Sequence, residues 1–389
     1  MIKKLLIENF RKYDRISFDD FQQINIFLGV NNVGKTTILE SIMAFACGQN
    51  FSSVFNLSII DRIRNYSQGL SSYQLAELIL NTFHDFNVQG NLTFSFKGTV
   101  NEKKKKSFQK EFVHKFEPSP LLEAFLPDKK IVVNETGMNN HKVSVPITSP
   151  TGVPVVMDIP TQYLGRWNIT TGESNKQFNI ITPVTYNQFS NEEAFILAVF
   201  HDIYTHRNLF DFQKVYSYLM SQDILEEFIK ELNSAFSGIN IKSIDNIPYP
   251  DGTQAPISIR KNDGQRFPLY TLGDGVLRWC SLLGLFITYP NAVHCIEEAD
   301  ITLHQQAQEA FAVNVMRYAK KYNNQVFMST HNEEFLKAFL KGIKSKEEGF
   351  LKNDIRVITL RNSDNSVKQR TLNGLEALEA IENGLELRV

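Results

Sequence analysis

Cysteine is scarce in this sequence, with three residues among 389. Cys47, Cys280 and Cys295 are odd in number, far apart and each embedded in an apolar run. This pattern is typical of buried free thiols and excludes a disulfide framework or a zinc cluster. Because such thiols stay reduced only in a reducing compartment, we expect a cytoplasmic protein.

An excess of charge is also lacking, since 41 Lys and Arg residues face 42 Asp and Glu residues and the net charge is −1. No overall field therefore attracts nucleic acid or a membrane surface, and such a partner would have to be contacted locally. No apolar run approaches the roughly 20 residues that span a bilayer. The opening MIKKLLIENF turns polar too early for a signal peptide. We expect no membrane partner.

Strand and helix patterns both occur before residue 236. Residues 2–8 and 22–29 have the apolar pattern of strands, and the second of these runs into a glycine-rich loop and a helix. Alternating apolar and polar residues over 88–160 predict an antiparallel sheet with long hairpins. Helical spacing predicts a helical block over about 191–236.

The last third of the chain alternates short apolar runs with helical patterns, which is typical of a parallel sheet buried on both faces. A helix is predicted at 276–288, and its apolar residues surround it almost completely, so it reads as buried. A final helix is predicted near 373–384. The predicted strands lie at 239–244, 256–260, 292–296, 325–329, 355–360 and 366–371.

The strongest local motif is Gly29-Val-Asn-Asn-Val-Gly34-Lys35-Thr36, which satisfies the P-loop pattern between a predicted strand and a predicted helix. The glycines allow backbone N–H groups to wrap the α- and β-phosphates of a nucleotide. Lys35 would reach the β- and γ-phosphates, and the Thr36 hydroxyl would bind Mg²⁺ at the helix N-terminus. The motif therefore predicts a site for ATP and Mg²⁺.

Two further motifs follow predicted parallel strands. Glu297 and Glu298 come directly after the apolar run at 292–296, and Ser329-Thr330-His331 closes the next one. Carboxyl ends of parallel strands face the ligand crevice. One carboxylate could order Mg²⁺ and the other could polarise an attacking water, while His331 could contact the γ-phosphate or that water.

Four motifs together resemble the ATP-binding-cassette heads of the SMC, RecF and OLD-type ATPases. They are GVNNVGKTT, LYTLGDGVLRWCSLLGL, VHCIEEADITLHQ and STHNEEFL, and the opening IKKLLIENFRKY is similar as well. The resemblance covers roughly 1–50 and 236–345, whereas no motif matches over 50–235. It implies an α/β fold: an ATP-binding-cassette head with a parallel core sheet, an antiparallel β subdomain and a short helical insertion.

The same resemblance implies a role for each site residue. Glu297 becomes the Walker B acid and shares the metal with Thr36, Glu298 becomes the catalytic base, and His331 becomes the switch histidine that senses the γ-phosphate. In this class a signature motif completes the site of the opposite subunit, and here it reads Leu272 to Gly275. The residues implied to contact ATP are Gly29, Asn31, Asn32, Gly34, Lys35, Thr36, Thr37, Gly273, Asp274 and Gly275.

The sequence departs from the family pattern at three points. The Walker B acid is usually Asp, and Glu297 is one methylene longer. The signature serine is replaced by Gly273, which removes a hydroxyl donor, although glycine and backbone N–H groups could still serve. The glutamine loop has no single position, because Gln162, Gln177 and Gln188 all qualify.

Three positions carry two interpretations each. Arg11 either lies beside the nucleotide or is a surface residue that follows a strand. Asp300 either belongs to a dimer-bridging loop or caps the N-terminus of a helix. Lys103 to Lys106 either touch a phosphate backbone or form a solvated hairpin tip.

The predicted organisation is a single head over residues 1–389. Residues 1–50 and 236–389 form its nucleotide-binding core, 88–160 its antiparallel subdomain and 191–236 its helical insertion. The resemblance implies ATP hydrolysis in a head-to-tail homodimer or higher homo-oligomer held through the ATP sites.

Stand-alone heads of this sort resemble the ATPase halves of bacterial anti-phage systems, PARIS-type ones among them. That resemblance implies a separate effector, a nuclease or a toxin, which is held or released as the nucleotide changes. The alternative is a RecF/SMC-like repair ATPase whose ATP-bound dimer contacts DNA. A third interpretation is a nucleotide-binding scaffold with little turnover, which Glu297 and Gly273 make conceivable.

Overall fold

The structure is a computed structural model, and it describes residues 1–47, 84–86, 90–100, 106–118, 142–148, 154–160, 163–171, 174–181, 197–202, 209–236, 238–246, 257–363 and 366–388. The chain divides into two compact units. The core-sheet unit contains residues 1, 20–39 and 197–389, and the antiparallel unit contains residues 2–19 and 40–196.

The strands of the described residues are, in chain order, β1 (Ile2–Phe10), β2 (Tyr13–Phe18), β3 (Ile24–Leu28), β4 (Leu92–Val100), β5 (Lys106–Pro118), β6 (Lys142–Thr148), β7 (Pro154–Pro160), β8 (Tyr163–Thr171), β9 (Ser174–Ile181), β10 (Ala198–His201), β11 (Ile241–Asp245), β12 (Ser258–Lys261), β13 (Arg266–Pro268), β14 (Val293–Ile296), β15 (Gln325–Thr330), β16 (Ile355–Ser363) and β17 (Ser366–Asn373).

The α-helices of the described residues are α1 (Lys35–Cys47), α2 (Leu209–Ser221), α3 (Leu225–Ala235), α4 (Asp274–Thr288), α5 (Gln305–Lys321), α6 (Glu333–Asn353) and α7 (Gly374–Glu382). Short 3₁₀ turns lie at His84–Phe86 and Leu269–Thr271. Within this described part of the chain, no helix combines the length and the apolar character needed to cross a membrane.

The core-sheet unit is built on six strands in the order β10-β14-β15-β3-β16-β17. All neighbours are parallel except β16 and β17, which pair as an antiparallel hairpin. Strands β3, β14 and β15 are buried along their whole length, as expected for a sheet covered on both faces. Since these three strands are parallel, their carboxyl ends meet at one edge, and the predicted parallel sheet is confirmed.

Helix α4 is deeply buried, because every residue from Leu277 to Ile287 is buried. Trp279 packs against Phe228 and Phe236. Cys280 is a buried free thiol, as is Cys295 in β14, which agrees with the prediction for these two cysteines. The side chain of Cys47 lies outside the described residues.

The antiparallel unit contains a second six-stranded sheet in the order β2-β1-β4-β5-β8-β9, together with the separate hairpin β6–β7. Leu92, Phe94 and Phe96 are fully buried, so the alternation seen in the sequence marks the inner face of β4. The sheet reaches beyond the predicted end at residue 160, because β8 and β9 belong to it. The opening strand β1 pairs with β4 in this sheet.

The prediction of helix over 191–236 is wrong at Ala198–His201, which form strand β10, and correct for α2 and α3. Strand β10 pairs in parallel with β14 along all four of its residues. A four-residue segment is too short for its own periodicity to decide between strand and helix, so the hydrogen bonds of the neighbouring strand decide it.

Candidate functional site

The loop between β3 and α1 has the backbone shape of a phosphate cradle. Asn32 and Gly34 adopt left-handed conformations, with φ of 61° and 102°. Consecutive turns of this kind direct backbone N–H groups towards a common point. Gly29 has no room for a side chain, because a Cβ would lie 2.7 Å from the Leu360 carbonyl oxygen and 2.9 Å from Val33 Cγ1. Packing against β16 therefore requires the first glycine of the motif.

Lys35 is held against the carbonyl side of this loop. Its Nζ donates hydrogen bonds to the carbonyl oxygens of Gly29, at 2.7 Å, and Val30, at 2.9 Å. Burial lowers the pKa of the Lys35 ammonium, and the nearby carboxylates, Glu298 first, oppose that shift. The ammonium is therefore already placed at the loop, where phosphate oxygens could replace the carbonyl oxygens as acceptors.

Thr36 connects the loop to the end of β14. Its hydroxyl donates a hydrogen bond to Glu297 Oε1 at 2.5 Å, across 261 positions of sequence. Hydroxyl and carboxylate oxygens are ligands that Mg²⁺ accepts beside phosphate and water oxygens. The pair therefore fits a Mg²⁺ site, and the extra methylene of Glu297 does not keep its carboxylate from Thr36.

Glu298 adopts a left-handed conformation, with φ of 45°. Its backbone N–H donates to Ser329 Oγ at 3.1 Å, and the N–H of Ala299 donates to the Ser329 carbonyl at 2.9 Å. Its side-chain Oε1 lies 4.0 Å from His331 Nδ1. The structure thus brings the two sequence-predicted reactive groups, Glu298 and His331, side by side at the ends of β14 and β15.

His331 sits between β15 and a well-capped helix. Asn332 accepts hydrogen bonds from the N–H groups of Glu334 and Phe335 through its side chain, which fixes the start of α6. About two fifths of the His331 side chain is exposed. The imidazole is therefore anchored through its backbone and accessible to a ligand.

Asp300 does not cap a helix, so that interpretation is wrong. Helix α5 begins at Gln305, and His304 occupies its N-cap position. The Asp300 carboxylate instead accepts a hydrogen bond from Thr330 Oγ1 at 2.7 Å. It therefore ties the loop after Glu298 to the end of β15.

The signature segment forms the start of helix α4, with Gly273 at the N-cap and no side chain capping the helix. A Cβ on Gly273 would meet no atom within 4 Å, whereas a Cβ on Gly275 would lie 2.5 Å from the carbonyl oxygen of Thr302. Gly273 is therefore open, and Gly275 is required by packing within its own chain. Asp274 lies in the first turn.

Sequence reasoning missed Arg278, which is 1% exposed and lies in α4. Its guanidinium donates hydrogen bonds to the carbonyl oxygens of Asp202, Glu297 and Glu298. Burial lowers its pKa to about 10, with Asp202 first among the carboxylates that oppose the shift, so it stays charged at neutral pH. The feature of the sequence that could have indicated Arg278 is a single arginine in a nearly apolar helix.

The remaining sequence candidates are Arg11, the three glutamines and the Lys103–Lys106 run. Arg11 forms an ion pair with Glu40 at 2.9 Å within the antiparallel unit. The position of the glutamine loop stays a prediction, since Gln162 and Gln188 lie outside the described residues and Gln177 is placed only as part of β9. Lys103 to Lys105 lie outside the described residues as well, and Lys106 begins β5.

The fold and the site together define a P-loop nucleotide-binding protein of the α/β class. Two family profiles match successive parts of the chain. Residues 1–152 match "AAA ATPase domain" and residues 171–337 match "AAA domain, putative AbiEii toxin, Type IV TA system". The first match contains the P-loop, and the second contains Glu297, Glu298 and His331.

Similar proteins extend this result. An "ATP/GTP phosphatase" of Helicobacter pylori is 24% identical over 386 residues, which cover 96% of each chain. The DNA replication and repair protein RecF of Clostridium acetobutylicum is 47% identical over 49 residues, which cover 13% of this chain and 14% of RecF.

Solved structures similar to the chain include an SMC head domain from Thermotoga maritima. That domain is 14% identical, with 96% of this chain and 99% of the domain covered and a TM-score of 0.42. The SmcHead bound to the C-winged helix domain of ScpA is 12% identical, with coverage of 97% and 99% and a TM-score of 0.47.

Two models of ATPase-type domains thus match most of the chain in succession, and they support an ATPase. The prediction of an ATPase is therefore confirmed.

Proposed function

We propose that this ATPase is a nucleotide-dependent switch that binds ATP with Mg²⁺, hydrolyses it with Glu298 as general base and thereby controls a separate effector protein. The main observation behind this proposal is the 2.5 Å hydrogen bond between Thr36 and Glu297. It supports the proposal because it joins the P-loop to the strand-end carboxylates.

Each residue of the site has a distinct task in this proposal. The P-loop N–H groups and Lys35 bind the phosphates, and Thr36 and Glu297 would hold Mg²⁺. When bound, Mg²⁺ would neutralise charge that develops on the transferred phosphoryl group. Glu298 accepts the proton of the attacking water, and His331, 4.0 Å away, contacts the γ-phosphate.

We further propose that two chains pair head to tail, so that the start of α4 in one chain completes the ATP site of the other. The partial positive charge at the N-terminus of this 15-residue helix favours a phosphate there. The open space around Gly273 supports the same assignment, because a ligand can approach its backbone closely.

A mixing experiment tests the shared site. Gly273→Arg should spare ATP binding and block turnover, because a long cation would fill the approach to the partner's phosphate. Mixed with Lys35→Ala chains, it should regain part of the activity, because each heterodimer keeps one site with an intact P-loop and an intact signature. ATPase rates across mixing ratios provide the measurement.

Gly273→Ala is the matched control, since a Cβ meets no atom within 4 Å at this position, and it should keep most of the turnover. Gly275 is unsuitable for this test because a Cβ there would press on Thr302 in the same chain. No recovery at any ratio, with heterodimers verified by mass, would argue against sites shared between chains.

The description of one matching family names a toxin and a Type IV toxin–antitoxin system. This supports a partner protein that the ATPase holds or releases. We propose a nuclease or toxin as effector, in cytoplasmic anti-phage defence, and the phenylalanine-rich region at 88–236 as its contact surface. The buried free thiols Cys280 and Cys295 support the reducing location.

Retention of the effector should depend on the nucleotide state. We expect tagged Glu298→Gln, which traps ATP, and Lys35→Ala, which binds none, to retain different amounts of the protein encoded by a neighbouring gene. Quantitative mass spectrometry of the two purifications measures the difference. Equal retention, or degradation of nucleic acid by the isolated Lys35→Ala chain with Mg²⁺ or Mn²⁺, would contradict the switch.

A RecF-like DNA-binding repair ATPase is the second candidate, and the 47% identity with RecF over 49 residues favours it. In the same purifications, this candidate would be recognised by ATP-dependent retention of duplex DNA in place of a protein. Its affinity should fall steeply with salt, because contacts to DNA phosphates release counterions.

A further inference from the structure

Arg278 is a buried charge in an otherwise apolar stretch of α4. The residue is 1% exposed, and nearby carboxylates, Asp202 first, favour its charged form. A buried charge is costly unless hydrogen bonds compensate for its lost hydration. The hydrogen bonds that Arg278 makes should therefore explain why a cation stands at this position.

Those hydrogen bonds all go to the backbone beside the ATP site. Nη2 donates to the carbonyl oxygens of Glu297, at 2.7 Å, and Glu298, at 3.0 Å, and Nη1 donates to that of Asp202, at 3.1 Å. The three carbonyls follow the ends of the neighbouring strands β10 and β14. One planar group thus ties α4 to both strand ends, which a point charge or an apolar side chain could not do.

The backbone that Arg278 holds is in an unfavourable conformation. Glu298 has a φ of 45°, which a residue with a side chain adopts only when its surroundings enforce it. Ser329 anchors its N–H from β15, and Arg278 anchors its carbonyl from α4. Helix α4 also meets this loop at Gly275, whose backbone packs against the Thr302 carbonyl.

We propose that Arg278 is a positioning residue for ATP hydrolysis, which sets the direction of the Glu298 carboxylate by holding its backbone to α4. This inference rests on the proposed role of Glu298. Because α4 begins at the Gly273–Gly275 motif, a displacement of the helix start reaches Glu298 through Arg278. Binding at that motif and the chemistry at Glu298 are therefore mechanically coupled.

Two substitutions test the proposal in the full-length chain. Arg278→Lys keeps the charge and one donor group, and Arg278→Met keeps the apolar stem alone. Both should bind ATP within about twofold of wild type, since neither contacts the P-loop, and both should lower kcat by roughly 10- to 100-fold. The lysine variant should retain more activity than the methionine variant.

Trp279→Phe is the matched control for packing. Trp279 is the next residue of the same helix, is also buried, and its ring packs against Phe228 and Phe236. Its replacement should lower Tm and leave kcat per folded molecule unchanged. A purely structural Arg278 would behave in the same way, with lower Tm and unchanged kcat.

A double mutant separates positioning from any independent effect. If Arg278 acts through Glu298, Arg278→Met should slow turnover little or not at all when Glu298 is already Gln. Additive losses would overturn the proposal, as would unchanged kcat in both Arg278 variants. If neither variant folds, Arg278 is structural and the proposal is rejected. ATP turnover at the wild-type rate in Glu298→Gln would instead contradict the proposed function, because Glu298 would then not be the general base.

Discussion

Lys35→Ala should abolish ATP binding at micromolar protein concentrations. Lys35 is 7% exposed, and its ammonium lies within 2.9 Å of the Gly29 and Val30 carbonyl oxygens in the loop that should bind the phosphates. Removing one partner of a buried charge pair costs about 2–5 kcal/mol, which weakens the Kd roughly 30-fold to several thousand-fold. Titration calorimetry with a nonhydrolysable ATP analogue and Mg²⁺ measures the loss.

Lys320→Ala is the matched control for loss of a positive charge. Lys320 lies in α5 and forms an exposed ion pair with Glu347 at 2.7 Å, so its replacement should leave the affinity for ATP unchanged. An unaltered Kd in Lys35→Ala would mean that the loop between β3 and α1 is not the phosphate site.

The sequence predicts the residues of the ATP site well because the motifs that mark them are local. The P-loop lies within eight consecutive residues, and the carboxylates and His331 each follow a short apolar strand directly. Parallel pairing of β3, β14 and β15 then brings those strand ends together without further information. The contact between Thr36 and Glu297, 261 positions apart, follows from this topology.

What the sequence did not predict depends on partners distant in the chain. Strand β10 is defined by pairing with β14, and the four residues Ala198–His201 carry too little periodicity of their own. The sequence leaves Asp300 with two interpretations, a dimer-bridging loop or a helix cap. Its contact with Thr330 is visible only in the structure. In the sequence, Arg278 is only an arginine in an apolar helix. Its role could not be predicted, because its three acceptors are backbone carbonyls, which no side-chain pattern reveals.

Glu298→Gln should bind ATP normally and turn it over far more slowly. The amide keeps the size of the side chain and cannot accept a proton from water, and a positioned general base typically contributes 10²–10⁴-fold to the rate, so a loss of about that size is expected. Steady-state phosphate release, measured beside ATP affinity, reports both quantities.

Glu297→Gln is the paired variant for the adjacent carboxylate. Glu297 contacts Thr36, so its replacement should raise the Mg²⁺ concentration needed for activity. If Glu297→Gln leaves the Mg²⁺ dependence unchanged while Glu298→Gln keeps full activity, the roles of the two carboxylates are misassigned.

The most direct test of the site is a single-turnover experiment on ATP already bound to wild type and to Glu298→Gln at saturating Mg²⁺. The proposed site predicts equal amounts of bound ATP in the two proteins, with rapid cleavage in wild type and retention of intact ATP in the variant. Cleavage of the bound ATP at the wild-type rate in Glu298→Gln would contradict it.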